Sequence, residues 1–528
     1  MIMKKILILM VCAAVFFSCE KTPEEVSTET SELLTFSFTK DANPKLDKDY
    51  SVEIVGDKLF TIVKGGTDLT KLVASFTTTN SGKVSIDGKE LISGSTKFNY
   101  LEPVDLVVKN PKSDISKQYT IVITDKISLK WAKFATFKDS NKSIDLPLDN
   151  FATALNPVTG LPEYFITRDN VLLGEDGEPV LDKDGDVEMT DAYGAVLTFD
   201  ESAVASISPE LTYRSDGVTK IKNQKNGIAI DADGKAYVMY YDRYKPEGAD
   251  EYVNYVTVKT GSGSNWSTVG STFGKASISS YYGMAIDPVS KYPIVGYTAN
   301  ASTDVLAKRE WEVCTYDGAS WTDNTTIDGL KGKTIYWGKY KTFNGALYFG
   351  CMDVYGVKNA TGAYFIYKYE NNAWVEVALG SPEGLSTSPS SVGMDFVIAS
   401  DGTPYIFTAG DEAGAWNLKL YKYADAKWEQ VGSNMAEAGS STRVSMTIYK
   451  DLPVVFYKDQ ETSNPTILVF NSETMDWNTP FVLDDVEVYK YGGQSIDVTA
   501  DGTFFVSFID NTSDSADDGA LKVYSAAL

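Results

Sequence analysis

At 528 residues the chain is too long for one simple core, so two or more domains are expected. Tyr 32, Phe 24 and Gly 41 favour strands and tight turns, and a formal net charge of −24 argues against nucleic acid as a partner, since phosphate neutralisation needs clustered Lys and Arg. Histidine is absent, which removes the commonest general base, the usual triad partner and the commonest zinc ligand.

The chain opens with Lys4 and Lys5 followed by the apolar run Ile6–Phe17, the layout of a secretory signal over residues 1–18. The run is too short to span a bilayer permanently. It ends at Phe16, Phe17, Ser18 and Cys19, with acidic Glu20, Glu24 and Glu25 close behind. A small residue before a cysteine resembles a lipoprotein signal-peptidase site, although Phe16 and Phe17 depart from the commoner Leu-Ala-Gly form. The resemblance implies lipidation at Cys19, and the acidic stretch resembles the surface-export signal of Bacteroidota lipoproteins. An outer-membrane, lipid-anchored and surface-exposed protein is expected, a periplasmic orientation being the alternative. Residues 19–32 are polar enough to be a tether.

From Leu33 the character alternates with period two, and short strand-like runs separated by Gly, Asn, Asp and Pro continue to Thr124. This is the pattern of a small β-sandwich over residues 33–125. At Asp68–Leu72, Phe98–Val104 and Tyr119–Ile123 it also resembles the immunoglobulin-like module that follows the lipid anchor in many Bacteroidota lipoproteins, which implies a spacer role. Of the four cysteines, Cys12 and Cys19 lie in the leader, while Cys314 and Cys351 fall on strand-like runs and read as buried small hydrophobes.

Residues 126–528 repeat one unit, clearest at Ser391–Ser433. There Ser391–Ile398, a turn at Asp401 and Gly402, Pro404–Thr408, alternating Asn417–Tyr423, and Trp428–Gly432 make a four-stranded antiparallel meander. A lone sheet of this size cannot bury both faces, so copies are expected to stack. First strands read Phe151–Leu155, Gly227–Ile230, Gly283–Ile286, Tyr340–Phe343, Gly393–Ile398, Val444–Ile448 and Ser495–Val498. Trp266, Trp321, Trp374, Trp428 and Trp477 open last strands and read as packing between neighbouring sheets. Leu129–Phe137 is a last strand without a unit, and Ala520–Tyr524 ends a unit without its last strand. The expected fold is therefore all-β: an immunoglobulin-like sandwich, then a seven-bladed β-propeller closed by pairing its N-terminal and C-terminal strands, with six or eight blades as the margin.

In such a ring, loops before the first strands and after the second strands share one mouth, where ligands bind. Asn226, Tyr281, Tyr282, Tyr336, Trp337, Arg443, Tyr489 and Tyr491 precede first strands, and Trp416 is placed in a long loop beside them. Aromatic rings with polar edges stack on sugar faces. Second strands end at Asp169, Asp242, Asp353, Asp411, Asp459 and Asp510, a set that could ring a cation or simply cap its own loops. The binding surface is read as Tyr282, Trp337, Trp416, Arg443, Tyr491 and the carboxylates Asp242, Asp353, Asp411, Asp459 and Asp510. Asp182, Asp184 and Asp186 alternate as in calcium loops, yet Gly185 is misplaced and Tyr193 stands where the final Glu belongs, so calcium is the weak cofactor candidate and a solvated hairpin the alternative.

The leading function is non-catalytic binding of a glycan or protein partner, with no catalytic residue assigned. A hydrolase or lyase using carboxylate and tyrosine is the alternative, and a scaffold of an outer-membrane complex the third reading. Only Arg168, Arg214, Arg243, Arg309 and Arg443 are available for the convergent arginines of a sialidase-like site.

Overall fold

The computed structural model describes residues 30–527 apart from 65–66, 114, 125–128, 139–149, 172–173, 175–179, 181–188, 213–225, 245–252, 277–280, 300–309, 323–324, 354–362, 384–392, 413–414, 440–442, 473, 490–492 and 513–518. Cys19, Tyr491, Asp182, Asp184 and Asp186 lie outside the described residues. The protein is all-β, with three single-turn 3-10 helices among the described residues. It divides into two compact units, Met1–Thr61 with Asp68–Ile123, and Ile62–Thr67 with Thr124–Leu528.

In the first unit, Leu33–Phe38 pairs with Tyr50–Ser51 on one side and Ser75–Thr78 on the other. A six-stranded sheet runs Glu53–Val55, Lys58–Ile62, Ser116–Thr124, Val104–Lys109, Lys83–Ile86, Lys89–Glu90. Alternation shows in Ser116–Thr124, where Tyr119, Ile121 and Ile123 are buried and their neighbours face outward. Phe36, Phe38 and Tyr100 pack edge to face in the core, and Leu106 and Val108 are also fully buried. The Tyr119 hydroxyl accepts the Leu33 N–H at 3.2 Å, tying the two sheets together.

Among the described residues the second unit holds seven sheets in chain order, each an antiparallel meander of four strands. Their first strands are Asn150–Leu155, Asn226–Ile230, Tyr282–Ile286, Ile335–Phe343, Met394–Ile398, Val444–Tyr449 and Gln494–Val498. Two sheets carry a fifth strand, Phe273–Ala276 in the second and Phe481–Val482 in the sixth. The seventh sheet is assembled from both ends of the unit: Ala132–Phe137 pairs with Leu521–Ala527, which continues into Thr503–Ile509 and Gln494–Val498.

Each first strand lies beside the next, and that of the seventh sheet lies beside that of the first. The reason is burial, because each sheet is apolar on both faces and must cover them. Phe165 and Val196 of the first sheet pack with Ile228 and Tyr240 of the second. Leu347 and Phe349 of the fourth pack on Ile294 and Val313 of the third, and Phe151 and Tyr164 of the first on Phe505 and Val523 of the seventh. The tryptophans sit in these seams. Trp428 joins fifth-sheet Phe396 and Ile406 to fourth-sheet Tyr364 and Ile366, and Trp477 packs where the fifth and sixth sheets meet. Trp131, just before the strand Ala132–Phe137, sits against Phe481 and Phe504, between the sixth and seventh sheets. Cys314 and Cys351 are buried in these seams and are not joined in a disulfide.

Candidate functional site

The N-terminal ends of the first strands gather an aromatic and cationic group. The fourth first strand begins earlier than the sequence pattern suggested, at Ile335 rather than Tyr340, because a bulge between Tyr336 and Lys339 hides its period. The bulge holds Trp337 at φ +55°, a left-handed conformation that a large side chain adopts only when its surroundings enforce it. Here three neighbours enforce it. The Tyr281 ring of the third sheet lies 5.1 Å from the Trp337 ring and 4.7 Å from Tyr336. The Arg443 guanidinium of the sixth sheet stands 5.6 Å over the indole. The indole also lies against Gly393 of the fifth sheet, where an added Cβ would come within 2.5 Å of the ring at a φ of +82°. Glycine there is required both by the backbone and by the ring. Tyr282 packs against Tyr241 at 5.8 Å, and burial raises its hydroxyl above the ordinary tyrosine range.

Below this mouth the first strands carry a charged cluster. Lys339 and Lys341 follow Trp337 on the fourth sheet, and both reach Asp395 on the fifth, at 3.4 Å and 2.8 Å. Lys341 crosses further to donate to the Met446 carbonyl of the sixth sheet at 2.8 Å. The other Asp395 oxygen accepts the Met446 N–H at 2.9 Å. Burial alone would raise the Asp395 carboxyl, but the two ammoniums outweigh it and hold the group below the usual carboxylate range. Burial lowers Lys339 despite Asp395 beside it. Asp497 on the seventh sheet has no direct ion pair among the described residues. Burial pushes its carboxyl up to about 6, with Lys341 pulling the other way.

The remaining sequence candidates are distributed as follows. Asn226 is turned inward, its amide donating to the Phe165 carbonyl and the Thr167 hydroxyl. Trp416 stands on the strand Ala415–Ala424 rather than in a long loop, because the connection before it is only residues 413–414. Asp353 accepts the Thr334 N–H at 3.1 Å and faces Lys333 at 3.8 Å. Asp459 accepts the N–H groups of Glu461 and Thr462 within its own loop. Asp510 is buried, paired with Lys522 at 2.7 Å and bound to the Thr512 N–H. These three carboxylates are thus engaged locally and not gathered at one point. Asp242 and Asp411 lie on strands whose side chains there are outside the described set. Among the described residues no cluster of three or more Cys, Asp or Glu has metal-binding geometry. Sequence reasoning missed Lys339, Lys341, Asp395 and Asp497. The signal was present as charged residues inside otherwise apolar first strands, a place where charge is costly without a partner.

No family model matches the chain, and no curated protein matches it. Solved structures do match in fold. The polysaccharide lyase Uly1 aligns with a TM-score of 0.43 and 10% identity, over 74% of this chain and 93% of its own. The Penicillium chrysogenum alpha-L-arabinanase aligns at 0.38 and 8%, over 76% and 98%. The Streptococcus pneumoniae NanB sialidase aligns at 0.37 and 11%, over 94% and 92%. These are coarse likenesses of fold, and the roles of residues in this chain rest on its own geometry.

Proposed function

We propose that this protein is a cell-envelope lipoprotein, anchored through Cys19 and facing outward, whose second unit is a seven-bladed β-propeller that binds a glycan at the Trp337 mouth without cleaving it. In this reading the first unit is an immunoglobulin-like spacer. The pairing of Ala132–Phe137 with Leu521–Ala527 supports a ring latched by its two ends. The observation that carries the binding reading is Trp337 itself. A large aromatic side chain is held in a costly backbone conformation by Tyr281, Gly393 and Arg443 from three different sheets. Strain of this kind persists where the surroundings over-determine it, and such places are commonly ligand clamps. Tyr281, Tyr336 and Trp337 are half-buried rings of the kind that pack on sugars, and Arg443 carries donors suited to hydroxyl or acidic groups.

A glycan array on the purified protein, followed by affinity electrophoresis in the retaining polysaccharide, tests this. Trp337→Ala is expected to weaken retention by about fivefold to about a hundredfold, in keeping with the roughly 1–3 kcal/mol typical of a stacked ring (about 1.4 kcal/mol per tenfold). Unchanged retention in a folded Trp337→Ala protein would remove the mouth as the site. Shortening of the polysaccharide by the wild-type protein would replace binding with catalysis. For the anchor, Cys19→Ser is expected to move the protein from the membrane fraction to the soluble fraction. Persistence in the membrane would reject lipidation at that position.

A further inference from the structure

Beyond the charged cluster, the C-terminal halves of the first strands enclose a well of about 630 Å³ to which all seven sheets contribute. That volume lies within the range of small-molecule sites. Its walls mix polar groups with apolar side chains, the latter including Leu155, Ile230, Ile286, Phe343, Ile448 and Val498 from six different sheets. None of these residues belongs to the Trp337 mouth. Apolar walls with one or two convergent polar groups are the usual form of a site that takes a small organic molecule.

The polar groups in the well differ in what they still lack. The rim residue Asp231 accepts the N–H groups of Asp233 and Lys235 in its own turn, at 3.0 Å and 2.9 Å. Lys291 donates to the Pro288 carbonyl. Lys341 already binds Asp395 and the Met446 carbonyl. Asp497 and Thr153 differ, since both line the same well and Asp497 Oδ2 and Thr153 Oγ1 are shielded from water with no hydrogen-bond partner, Asp497 being the pure acceptor of the two. A buried acceptor left in this state costs free energy, and a donor brought by a ligand would recover it. The charge balance narrows the donor further. The charged residues that line the well, Asp231, Lys291, Lys341 and Asp497, sum to zero when all are ionised, so a charged ligand would leave a net charge in it.

We propose that this well is a second ligand site, separate from the mouth, for a small neutral molecule with an apolar body and a hydroxyl or amide N–H head that donates to Asp497.

The probes are phenol, anisole, benzoate and benzylamine, titrated calorimetrically into the full-length protein. Phenol carries a donor on an apolar ring, anisole lacks the donor, and the other two carry charge. Phenol is expected to bind at least tenfold more tightly than each of the others, as expected when a built acceptor is left unpaired. Asp497→Val, which removes the acceptor and suits a strand, is expected to erase the difference between phenol and anisole. Ile448→Trp, which fills the well without touching the acceptor, is expected to abolish binding of both. If Asp497→Val does not fold, the probe series and Ile448→Trp decide alone. Equal affinity for phenol and anisole, tighter binding of benzylamine or benzoate, or phenol binding that survives Ile448→Trp would each overturn the proposal, as would no binding of any probe.

Discussion

Asp395→Ala is expected to destabilise the second unit by about 3–5 kcal/mol at neutral pH, the loss typical when one partner of a buried ion pair is removed. Asp395 is 2% exposed and serves two ammoniums at once, Lys339 and Lys341, while also accepting the Met446 N–H. Alanine would leave two cations facing each other inside the first strands, together with an unpaired backbone donor. Asp395→Asn keeps an acceptor for Met446 but not the charge, so it should recover only part of the loss. The pH dependence has a fixed sign. The folded-state pKa of Asp395 lies below its unfolded value of 3.8, so its stabilisation is present above that value and is lost as pH falls through the folded pKa. The gap between wild type and Asp395→Ala should therefore narrow in strong acid. Urea unfolding at pH 7 and again below pH 3 measures both quantities. A loss under 1 kcal/mol at pH 7 would mean that Lys339 and Lys341 turn to solvent and that the cluster is not a structural tie between sheets.

Much of the strand framework is legible in the sequence because its causes are local. Period-two alternation in Asn417–Tyr423 falls on the strand Ala415–Ala424, and the Asp401–Gly402 turn joins Met394–Ile398 to Pro404–Glu412. Trp266, Trp374, Trp428 and Trp477 each lie on the fourth strand of their sheet, so one recurring large residue marks one recurring position. Three features resist such reading. The Trp337 bulge breaks alternation, which is the very signal being read, so the start of Ile335–Phe343 is hidden. Trp416 was misplaced because nothing in composition fixes how short the preceding turn is. The Lys339, Lys341, Asp395 and Asp497 cluster joins residues up to 158 positions apart, and no spacing rule links side chains that meet only after separate sheets pack.

The mouth and the cluster are mechanically related through the same strand. Trp337, Lys339 and Lys341 belong to the fourth sheet; Lys339 stops at Asp395 of the adjacent fifth sheet, while the other two reach past it. Trp337 passes Gly393 of the fifth sheet to meet Arg443 of the sixth, and Lys341 passes Asp395 of the fifth to meet the Met446 carbonyl of the sixth. Three sheets are thereby fixed at two levels, one aromatic and one ionic. A mouth held this way is preorganised, so a ligand would meet its rings without first paying to order them.

Asp497→Asn is expected to act in the opposite direction to the Asp395 variants and stabilise the protein by about 1–3 kcal/mol at pH 7.5. The upper figure follows from raising a carboxyl from 3.8 to about 6, at about 1.4 kcal/mol per pKa unit. The sign is again fixed by linkage. A carboxyl whose folded pKa lies above its unfolded value holds its proton more tightly when folded, so the wild type loses stability as pH rises from about 4 to about 6. Asparagine has no proton to lose and should not show that decline. Wild type and variant are therefore expected to melt together near pH 4, to separate between about pH 4 and about pH 6, and to keep a constant gap above that, which a series of thermal scans in matched buffers would read directly. A variant less stable than wild type at pH 7.5 would show that ionised Asp497 is a needed counter-ion for Lys341. If the gain is found, the protein keeps a costly ionised group that asparagine would remove. Such a cost is retained where function draws on it, and Asp497 sits in a well that every sheet of the unit helps to line.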